Sequence, residues 1–286
     1  MPTFEGLPKS VVAAVQTIAI TGGKGGVGKS TVAINLAAAM AARGRRTLLL
    51  DGDLGLANVD VLLGLTPRRT LAHVLAGECS LDDVRLEAHG FGVIPAASGI
   101  ARLAALGDIE HLNLVRAFSD LAMQVDTLIV DTAAGIGPGV LRLVQAAQHV
   151  LIVVCDEPAS ITDAYAVIKV LSRDFGLRRF KVLANMVRSS ESGANLFATL
   201  NQVAGRFLDV ILEFAGEVPE DPYLRRAIRE QRPVLTAYPT SRASRALKNL
   251  ADTADSWPIP AGPRGHIEFF AERLLQRQPV KLEVVR

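Results

Sequence analysis

The stretch TIAITGGKGGVGKSTVAINLAAAMAARG, Thr17 to Gly44, decides the fold of this chain. It opens with TIAIT, a short apolar run typical of a buried strand. A glycine-rich segment follows, and a helix is predicted from about Ser30 to Arg43, ending near Gly44. A strand, a tight loop and a helix in this order form the unit from which parallel α/β sheets are built.

The same alternation continues along the chain. Most further runs of Val, Ile and Leu are continuously apolar, as expected for parallel strands covered on both faces. The strands predicted after Thr17–Thr21 are RTLLLD, FGVIPA, DTLIVD, HVLIVVCD, FKVLANM and VILEFAGEV. The sequence therefore predicts an α/β protein with a doubly wound, mostly parallel sheet.

Composition limits the class of protein. The 286 residues are 49% hydrophobic and 21% charged, which is typical of a soluble globular chain. A formal net charge of +2 gives no bulk electrostatic case for nucleic acid as the main partner. Cys79 and Cys155 lack metal-ligand spacing and are interpreted as reduced thiols. Without a visible signal peptide or an apolar run of about 18 residues, the protein is predicted to be cytoplasmic.

Three segments are predicted along the chain. Residues 1–16 form an N-terminal extension, residues 17–257 form the α/β domain, and residues 258–286 form a linker and a tail. The prolines of WPIPAGPRGH mark the second boundary, because proline interrupts regular structure.

The loop GKGGVGKS fits the spacing G-x-x-x-x-G-K-[ST] of a phosphate-binding loop. Its glycines let backbone N–H groups surround phosphates, and the following helix directs its positive end at them. Lys29 is predicted to pair with the β- and γ-phosphates of ATP, Ser30 to bind Mg²⁺, and Thr31 to contact the α-phosphate. The predicted nucleotide-binding residues of this segment are Gly23, Lys24, Gly25, Gly26, Val27, Gly28, Lys29, Ser30 and Thr31.

Lys24 is a second lysine that an ordinary phosphate-binding loop does not need. The pattern K-G-G-x-G-K-[ST] resembles the deviant loop of the MinD/ParA class of ATPases. The resemblance implies a P-loop NTPase fold of the SIMIBI type, in which Lys24 reaches the nucleotide of a second subunit. A cation near the γ-phosphate stabilises the charge that develops in phosphoryl transfer. The alternative is a solvent-exposed loop lysine.

Three aspartates end predicted strands, where ligands bind in open α/β sheets. Asp131, in TLIVDTAAG, resembles the Walker B carboxylate that holds Mg²⁺ through water, and Gly135 lets the next loop approach the γ-phosphate. Asp53 matches the first switch aspartate of the class, which is expected to orient the attacking water, whereas Asp51 is interpreted as structural. The catalytic candidates are Lys24, Asp53 and Asp131, and the candidate Mg²⁺ ligands are Ser30, Asp53 and Asp131.

A strand-end asparagine is the candidate for contacting adenine. Asn185, in LANM, offers both a donor and an acceptor. The resemblance implies that it acts with a later proline-acidic loop, for which the candidates are Pro219, Glu220, Asp221 and the nearby Arg225. An ordinary capping or turn role is the alternative for Asn185 and for this loop. Glu157 is a further candidate at the dimer interface.

Longer stretches resemble the FleN/FlhG branch, the regulators of flagellar number, from about Ile18 to about Leu275. They are DGDLGLANVDVLLGL, RTLAHVLAGEC, VDTAAGIG, CDEPASITDAYAVIK, RFKVLANM and PRGHIEFF. The branch implies an ATP-driven monomer–dimer switch, antagonism of a flagellar master transcription activator, and a relationship opposing an FlhF-type GTPase. Residues 1–16 lack the DQAxxLR-like motif of some members, so direct stimulation of that GTPase through the N-terminus is not expected.

The segment GHIEFFAERLLQRQ is predicted to form an amphipathic helix. Its apolar face carries Ile267, Phe270, Leu274 and Leu275, and Phe269 falls off that face. The resemblance implies weak, reversible contact with the inner face of the cell membrane at the pole, where two tails of a dimer bind better than one. Packing of this helix on the protein's own core is the alternative.

Two other functions remain open. A ParA-type partitioning ATPase would bind DNA non-specifically, and the basic cluster Arg225, Arg226, Arg229 and Arg232 leaves this open although the net charge is nearly neutral. A MinD-type division-site ATPase is disfavoured by the glutamates of the tail and by the FleN/FlhG-like stretches. No sequence-specific binding of nucleic acid is expected.

Overall fold

A computed structural model of the chain describes residues 15–53, 55–96, 113–114, 117–121, 124–260 and 268–270. The strands in these residues are β1 Gln16–Thr21, β2 Thr47–Gly52, β3 Leu86–Ala88, β4 Phe91–Ile94, β5 Thr127–Thr132, β6 His149–Cys155, β7 Arg179–Val187 and β8 Ile211–Pro219. They form one sheet in the order β3-β4-β2-β5-β1-β6-β7-β8. Among the strands in the described residues only β3 pairs antiparallel to its neighbour, so the predicted doubly wound, mostly parallel sheet is confirmed.

Helices cover both faces of the sheet. Those described are α1 Lys29–Ala42, α2 Val59–Leu62, α3 Leu71–Leu75, α4 Pro138–Ala146, α5 Pro158–Phe175, α6 Ser190–Phe207, α7 Pro222–Arg229, α8 Val234–Ala237 and α9 Arg242–Asp255. Helices α1, α8 and α9 pack on one face, and α4, α5 and α6 pack on the other. Turns of 3-10 helix lie at Asp82–Val84 and Phe118–Leu121.

The central strand explains why its sequence is continuously apolar. Ile18 and Ile20 of β1 face α1 and α9, whereas Ala19 between them faces α4 and α5. Successive strand residues point to opposite faces, and here both faces are covered by helices. All six residues of β1 are consequently buried.

The strand order brings the predicted site residues to one edge of the sheet. β1 lies between β5 and β6, and β2 lies next to β5. Asp51 of β2 is in register with Asp131 of β5, which also pairs with Ile20 near the end of β1. The carboxyl ends of these parallel strands therefore meet where the chain reverses its winding direction, which is where open α/β sheets bind ligands.

The tail differs from the predicted helix where the structure describes it. Phe269 and Phe270 lie in a turn, and Phe270 has a left-handed backbone conformation with φ of 56°. Phe269, which the helical period places off the apolar face, is fully buried beside Phe270 and Phe118. Ile267, Leu274 and Leu275 lie outside the described residues. No helix within the described ranges has the length and apolarity needed to cross a bilayer.

Candidate functional site: a phosphate loop beside two strand-end carboxylates

The glycine-rich loop joins β1 directly to α1. Gly26 and Gly28 have φ of 82° and 90°, a left-handed conformation that glycine adopts without a Cβ clash. Helix α1 begins at Lys29 with no side-chain cap and no acidic residue in its first turn. Its first N–H groups and its positive end therefore point toward the loop, which is the arrangement that binds phosphate at helix N-termini.

The loop is packed on one side and open on the other. A Cβ added to Gly23 would lie 2.2 Å from the backbone carbonyl carbon of Asp163 in α5, so only glycine fits there. A Cβ added to Gly25 or Gly26 would meet no atom within 4 Å. The loop after β5 is tied to this segment, because the N–H of Gly135 donates to the carbonyl of Gly22 at 3.0 Å. The open side leaves room for a phosphate chain.

Lys29 lies close to the loop backbone and to two strand-end aspartates. Its side chain is largely buried, and its Nζ lies 3.4 Å from the carbonyl oxygen of Lys24. Burial lowers the pKa of Lys29, while the negative charges of Asp131 and Asp53 act in the opposite direction. An ammonium group held here with little solvation is suited to pair with phosphate oxygens.

Asp131 ends β5 beneath the loop and is almost completely buried. Burial raises its pKa to about 8, with the charges of Asp51 and Asp53 adding to the effect and a hydrogen bond from Ser30 and the charge of Lys29 opposing it. Within the described part of the chain, Oδ1 of Asp131 has no hydrogen-bond partner.

These oxygens fit Mg²⁺. The ion commonly takes one or two protein oxygens and fills its remaining positions with water and substrate phosphates. Ser30 and Asp131 provide a hydroxyl and a buried carboxylate with an unused oxygen beside the phosphate loop. No group of three or more His, Cys, Asp or Glu side chains with metal-site geometry occurs among the described residues, so a site built entirely from protein ligands is not indicated there.

Asp51 and Asp53 have different surroundings although they are two residues apart. Asp51 is buried and accepts backbone hydrogen bonds of 3.1 Å from Asp53, Asn58 and Val59, and burial raises its pKa to about 6. It thus shapes the turn after β2, in agreement with its interpretation as structural. Asp53 is only partly buried and accepts one bond of 3.0 Å from the N–H of Leu56. Its role toward water and Mg²⁺ stays a prediction.

Lys24 has a different partner from Lys29. Its Nζ contacts Oε2 of Glu157 at 2.6 Å, just before α5, and both side chains are substantially exposed. The hydrogen bond and the charge of Glu157 raise the pKa of Lys24. Lys24 therefore lies at the surface beside the loop in an ion pair with Glu157, which the sequence also makes a candidate at the dimer interface.

Asn185 lies against the phosphate loop at the end of β7. Its Nδ2 donates to the carbonyl of Val27 at 2.7 Å, and a Cβ added to Gly28 would lie 2.4 Å from it. The side chain therefore holds the loop in place, which agrees with the alternative structural role. A contact with adenine stays a prediction.

The proline-acidic loop has a structural task as well. Asp221 caps α7 through the N–H of Tyr223 at 2.9 Å, and its other oxygen accepts from the N–H of Ala243 in α9 at 2.9 Å. Pro219 ends β8, and Glu220 lies 3.4 Å from Arg225. The loop follows β8, which is adjacent and parallel to β7, the strand that carries Asn185. The loop and Asn185 therefore lie at the same edge of the sheet, where the carboxyl ends of the strands are.

One cluster was not assigned from the sequence. Arg188 and Arg242 join the arginines of α7 around one cleft of about 590 Å³. Its lining residues are Arg188, Glu220, Asp221, Pro222, Arg225, Arg226, Arg229 and Arg242. The arginines of α7 form a run that is visible in the sequence, whereas Arg188 and Arg242 come from segments that are distant in sequence.

A strand, a phosphate loop and a helix in a doubly wound sheet, with a strand-end aspartate beside the loop, define a P-loop NTPase. A family model described as "ParA: NUBPL iron-transfer P-loop NTPase" matches residues 13–254. The chain belongs to this family.

Individual relatives include two flagellar proteins and a septum site-determining protein of known structure. The chain is 59% identical to the antiactivator FleN of Pseudomonas aeruginosa, over 92% of this chain and 94% of that protein. It is 32% identical to the flagellum site-determining protein YlxH of Helicobacter pylori, over 91% of this chain and 89% of that protein. The septum site-determining protein MinD of Pyrococcus horikoshii, solved in complex with Mg-ADP, is similar at a TM-score of 0.70 and 28% identity, covering 85% of this chain and 96% of that one.

Proposed function

We propose that this protein is a switch ATPase that dimerises on ATP and limits flagellar number by antagonising a flagellar master transcription activator. The 59% identity to an antiactivator over nearly both full lengths supports the regulatory role. The Mg-ADP complex of the MinD relative and the fit of Ser30 and Asp131 to Mg²⁺ support ATP, ADP and Mg²⁺ as its ligands.

The placement of Lys24 carries the proposal of a dimer. Lys29 is largely buried beside the loop, whereas Lys24 lies at the surface in an ion pair with Glu157. A surface lysine beside one nucleotide site is available to a second nucleotide site that approaches face to face. Hydrolysis would then require two subunits, since each supplies a cation to the other.

Each residue has a task in this mechanism. Bound Mg-ATP supplies the γ-phosphoryl group that is transferred to water. The N–H groups of the loop and Lys29 hold the phosphates, and Ser30 and Asp131 hold the metal. Asp53 orients the attacking water, and Lys24 of the second subunit stabilises the developing charge. Asn185, with Pro219, Glu220 and Arg225, borders the adenine.

The same proposal includes the cellular location of the protein, an opposing GTPase and a membrane contact. The protein acts in the cytoplasm, in functional opposition to an FlhF-type GTPase, and contacts the membrane weakly and peripherally through its tail. Partitioning and division-site functions are less favoured, because the MinD relative is 28% identical whereas the flagellar antiactivator is 59% identical. Turnover is proposed to be slow, because it waits for the second subunit.

Light scattering tests the switch. The full chain should be a monomer with Mg-ADP and a dimer with Mg²⁺ and a non-hydrolysable ATP analogue. Transcription from an activator-dependent flagellar promoter, reconstituted with purified components, should fall only when the protein and ATP are both present. A monomer under both nucleotide conditions would exclude the ATP-held dimer, and unchanged transcription would exclude antagonism of the activator.

A further inference from the structure

Helix α7 ends in a backbone geometry that favours glycine. The N–H of Gln231 donates to the carbonyl of Ile228, and the N–H of Arg232 donates to the carbonyl of Ala227, both at 3.1 Å. This pair of bonds is the Schellman ending of a helix, in which the residue after the last turn is left-handed and is most often glycine. Gln231 occupies that position with φ of 54°. A side chain there costs stability, so the reason for a glutamine must be sought in the contacts of its side chain.

The side chain of Gln231 contacts the segment that follows Asp53. Its Nε2 donates to the carbonyl of Val61 in α2 at 2.7 Å, and the two residues are 170 apart in the sequence. A Cβ added to Gly64, just beyond α2, would lie 3.1 Å from Oε1 of Gln231. The amide group of Gln231 therefore lies against the end of α2.

Helix α2 is held at both ends. It is a single turn of four residues, and so short a helix has little stability of its own. At its start, Asp51 accepts the N–H groups of Asn58 and Val59 at 3.1 Å. At its end, the chain is held by Gln231. The turn that carries Asp53 lies directly before α2, so these two contacts limit how far Asp53 can move.

Gln231 is itself fixed to the nucleotide-binding elements. Helix α7 connects it to the loop proposed to border adenine, because Asp221 of that loop caps the start of α7. The eight residues of α7 span only about 12 Å. After α7, the N–H of Val234 donates to Oδ1 of Asn35 in α1 at 2.7 Å, and Nδ2 of Asn35 donates to the carbonyl of Thr31 at 2.8 Å. The segment around Gln231 is thereby tied to the helix that begins at the phosphate loop.

We propose that Gln231 is a positioning residue for Asp53, a role that rests on the proposed function in which Asp53 orients the attacking water. A base seated beside the loop before α7 holds α7 in place, and the amide of Gln231 then holds α2 and the turn before it. A nucleotide whose base does not fit leaves α7, and with it the Asp53 turn, less restrained. The base thereby affects the rate of hydrolysis as well as the affinity, since it helps to assemble the catalytic arrangement.

Hydrolysis of Mg-ATP and Mg-GTP by the full chain tests this role, because the two nucleotides share their phosphates and differ in the base. Gln231 is exposed, so its replacement leaves no cavity. Gln231→Glu keeps the shape of the side chain but removes the amide donor, whereas Gln231→Gly removes the side chain and suits the left-handed backbone. Gln202→Glu, at an exposed glutamine of α6, is the matched control. The values of kcat, KM and the melting temperature are measured for each variant, and light scattering measures dimerisation with a non-hydrolysable ATP analogue.

Both Gln231 variants should lower kcat with ATP about two- to tenfold, the effect of losing one hydrogen bond, and bring it toward the value with GTP. KM for ATP should change less than about twofold, dimerisation should be unchanged, and Gln202→Glu should behave like the unaltered protein. Gln231→Gly should melt no lower than the unaltered protein, so activity falls while stability does not, which a purely structural role would not give. Unchanged kcat in both Gln231 variants, or loss of dimerisation in either, would overturn the proposal.

Asp53→Ala, measured alongside, separates failure of this role from failure of the proposed function. Stalled turnover by Asp53→Ala together with normal turnover by both Gln231 variants would overturn the coupling alone and leave the water-orienting role of Asp53 in place. Normal turnover by Asp53→Ala would instead remove that role from the mechanism, and the positioning role of Gln231 with it.

Discussion

At the scale of single residues, two lysines of one loop occupy different surroundings. Lys29 is largely buried above Asp131, whereas Lys24 pairs with Glu157 at the surface. Lys24→Ala should therefore leave the affinity for ATP nearly unchanged and abolish ATP-dependent dimerisation, with hydrolysis falling by up to about 10³-fold, as for loss of an arginine finger. Calorimetry and light scattering measure the two effects. Lys248→Ala, a surface control, should change neither, and normal turnover by Lys24→Ala would exclude a catalytic role.

Asp131 gives the nucleotide-free protein a characteristic pH dependence. Its pKa in the fold is raised to about 8, so the folded protein retains a proton that the unfolded chain releases near its ordinary pKa of 3.8. The stabilisation by this proton is present at low pH and is lost as the pH rises toward and through about 8. Between about pH 5 and about pH 8 the melting temperature without nucleotide should therefore fall.

Asp131→Asn should flatten this slope, leaving the part due to Asp51, whose pKa is raised to about 6. Asp174→Asn, an exposed control near the end of α5, should keep the slope of the unaltered protein. Saturating Mg-ADP should also flatten it, because a metal ion favours the ionised carboxylate. An unchanged slope in Asp131→Asn would show that the buried proton is not on this residue.

At the scale of elements, substitution of two glycines of the loop should have different effects, for different physical reasons. A Cβ on Gly23 meets the backbone of α5, whereas a Cβ on Gly25 meets nothing and enters the space proposed for phosphates. Gly23→Ala should lower the free energy of unfolding without nucleotide by about 1–3 kcal/mol, because the loop or α5 must move. Gly25→Ala should leave this stability nearly unchanged and weaken ATP binding. Urea unfolding and calorimetry separate the two, and equal stability of both variants would contradict the packing argument.

Elements with a strong local signal were predictable, and those set by distant contacts were not. The central strands are continuous apolar runs, whereas β3 has two partly exposed residues around the exposed Glu87 and no such run, so the sequence does not predict it. The phosphate loop was predicted because its geometry depends on residues close in sequence. The contacts of Lys24 with Glu157 and of Asn185 with Val27 span more than 130 residues, and only the folded sheet brings them together.

At the scale of the whole molecule, part of the predicted membrane tail belongs to the core. Phe269 and Phe270 pack edge-on against Phe118, with ring centroids 5.2 Å and 6.3 Å away, and the N–H of Phe269 donates to the carbonyl of Ala146 at 3.0 Å. Ending the chain after Gly265 should lower the free energy of unfolding by at least about 3 kcal/mol, because it removes two buried aromatic rings. Urea unfolding measures this, and unchanged stability would contradict the anchoring.

A clean test of membrane contact must therefore keep these two phenylalanines. Phe270 is buried and so is not available to a membrane, which leaves Ile267, Leu274 and Leu275 as the remaining residues of the proposed apolar face. A chain ending at Phe270 should unfold like the full chain and should still dimerise with ATP, but it should no longer sediment with anionic liposomes. Leu274→Glu/Leu275→Glu in the full chain should give the same loss, because charge opposes insertion of an apolar face. Sedimentation of the shortened chain at the level of the full chain would move the membrane contact to another surface and leave the tail with its structural role alone.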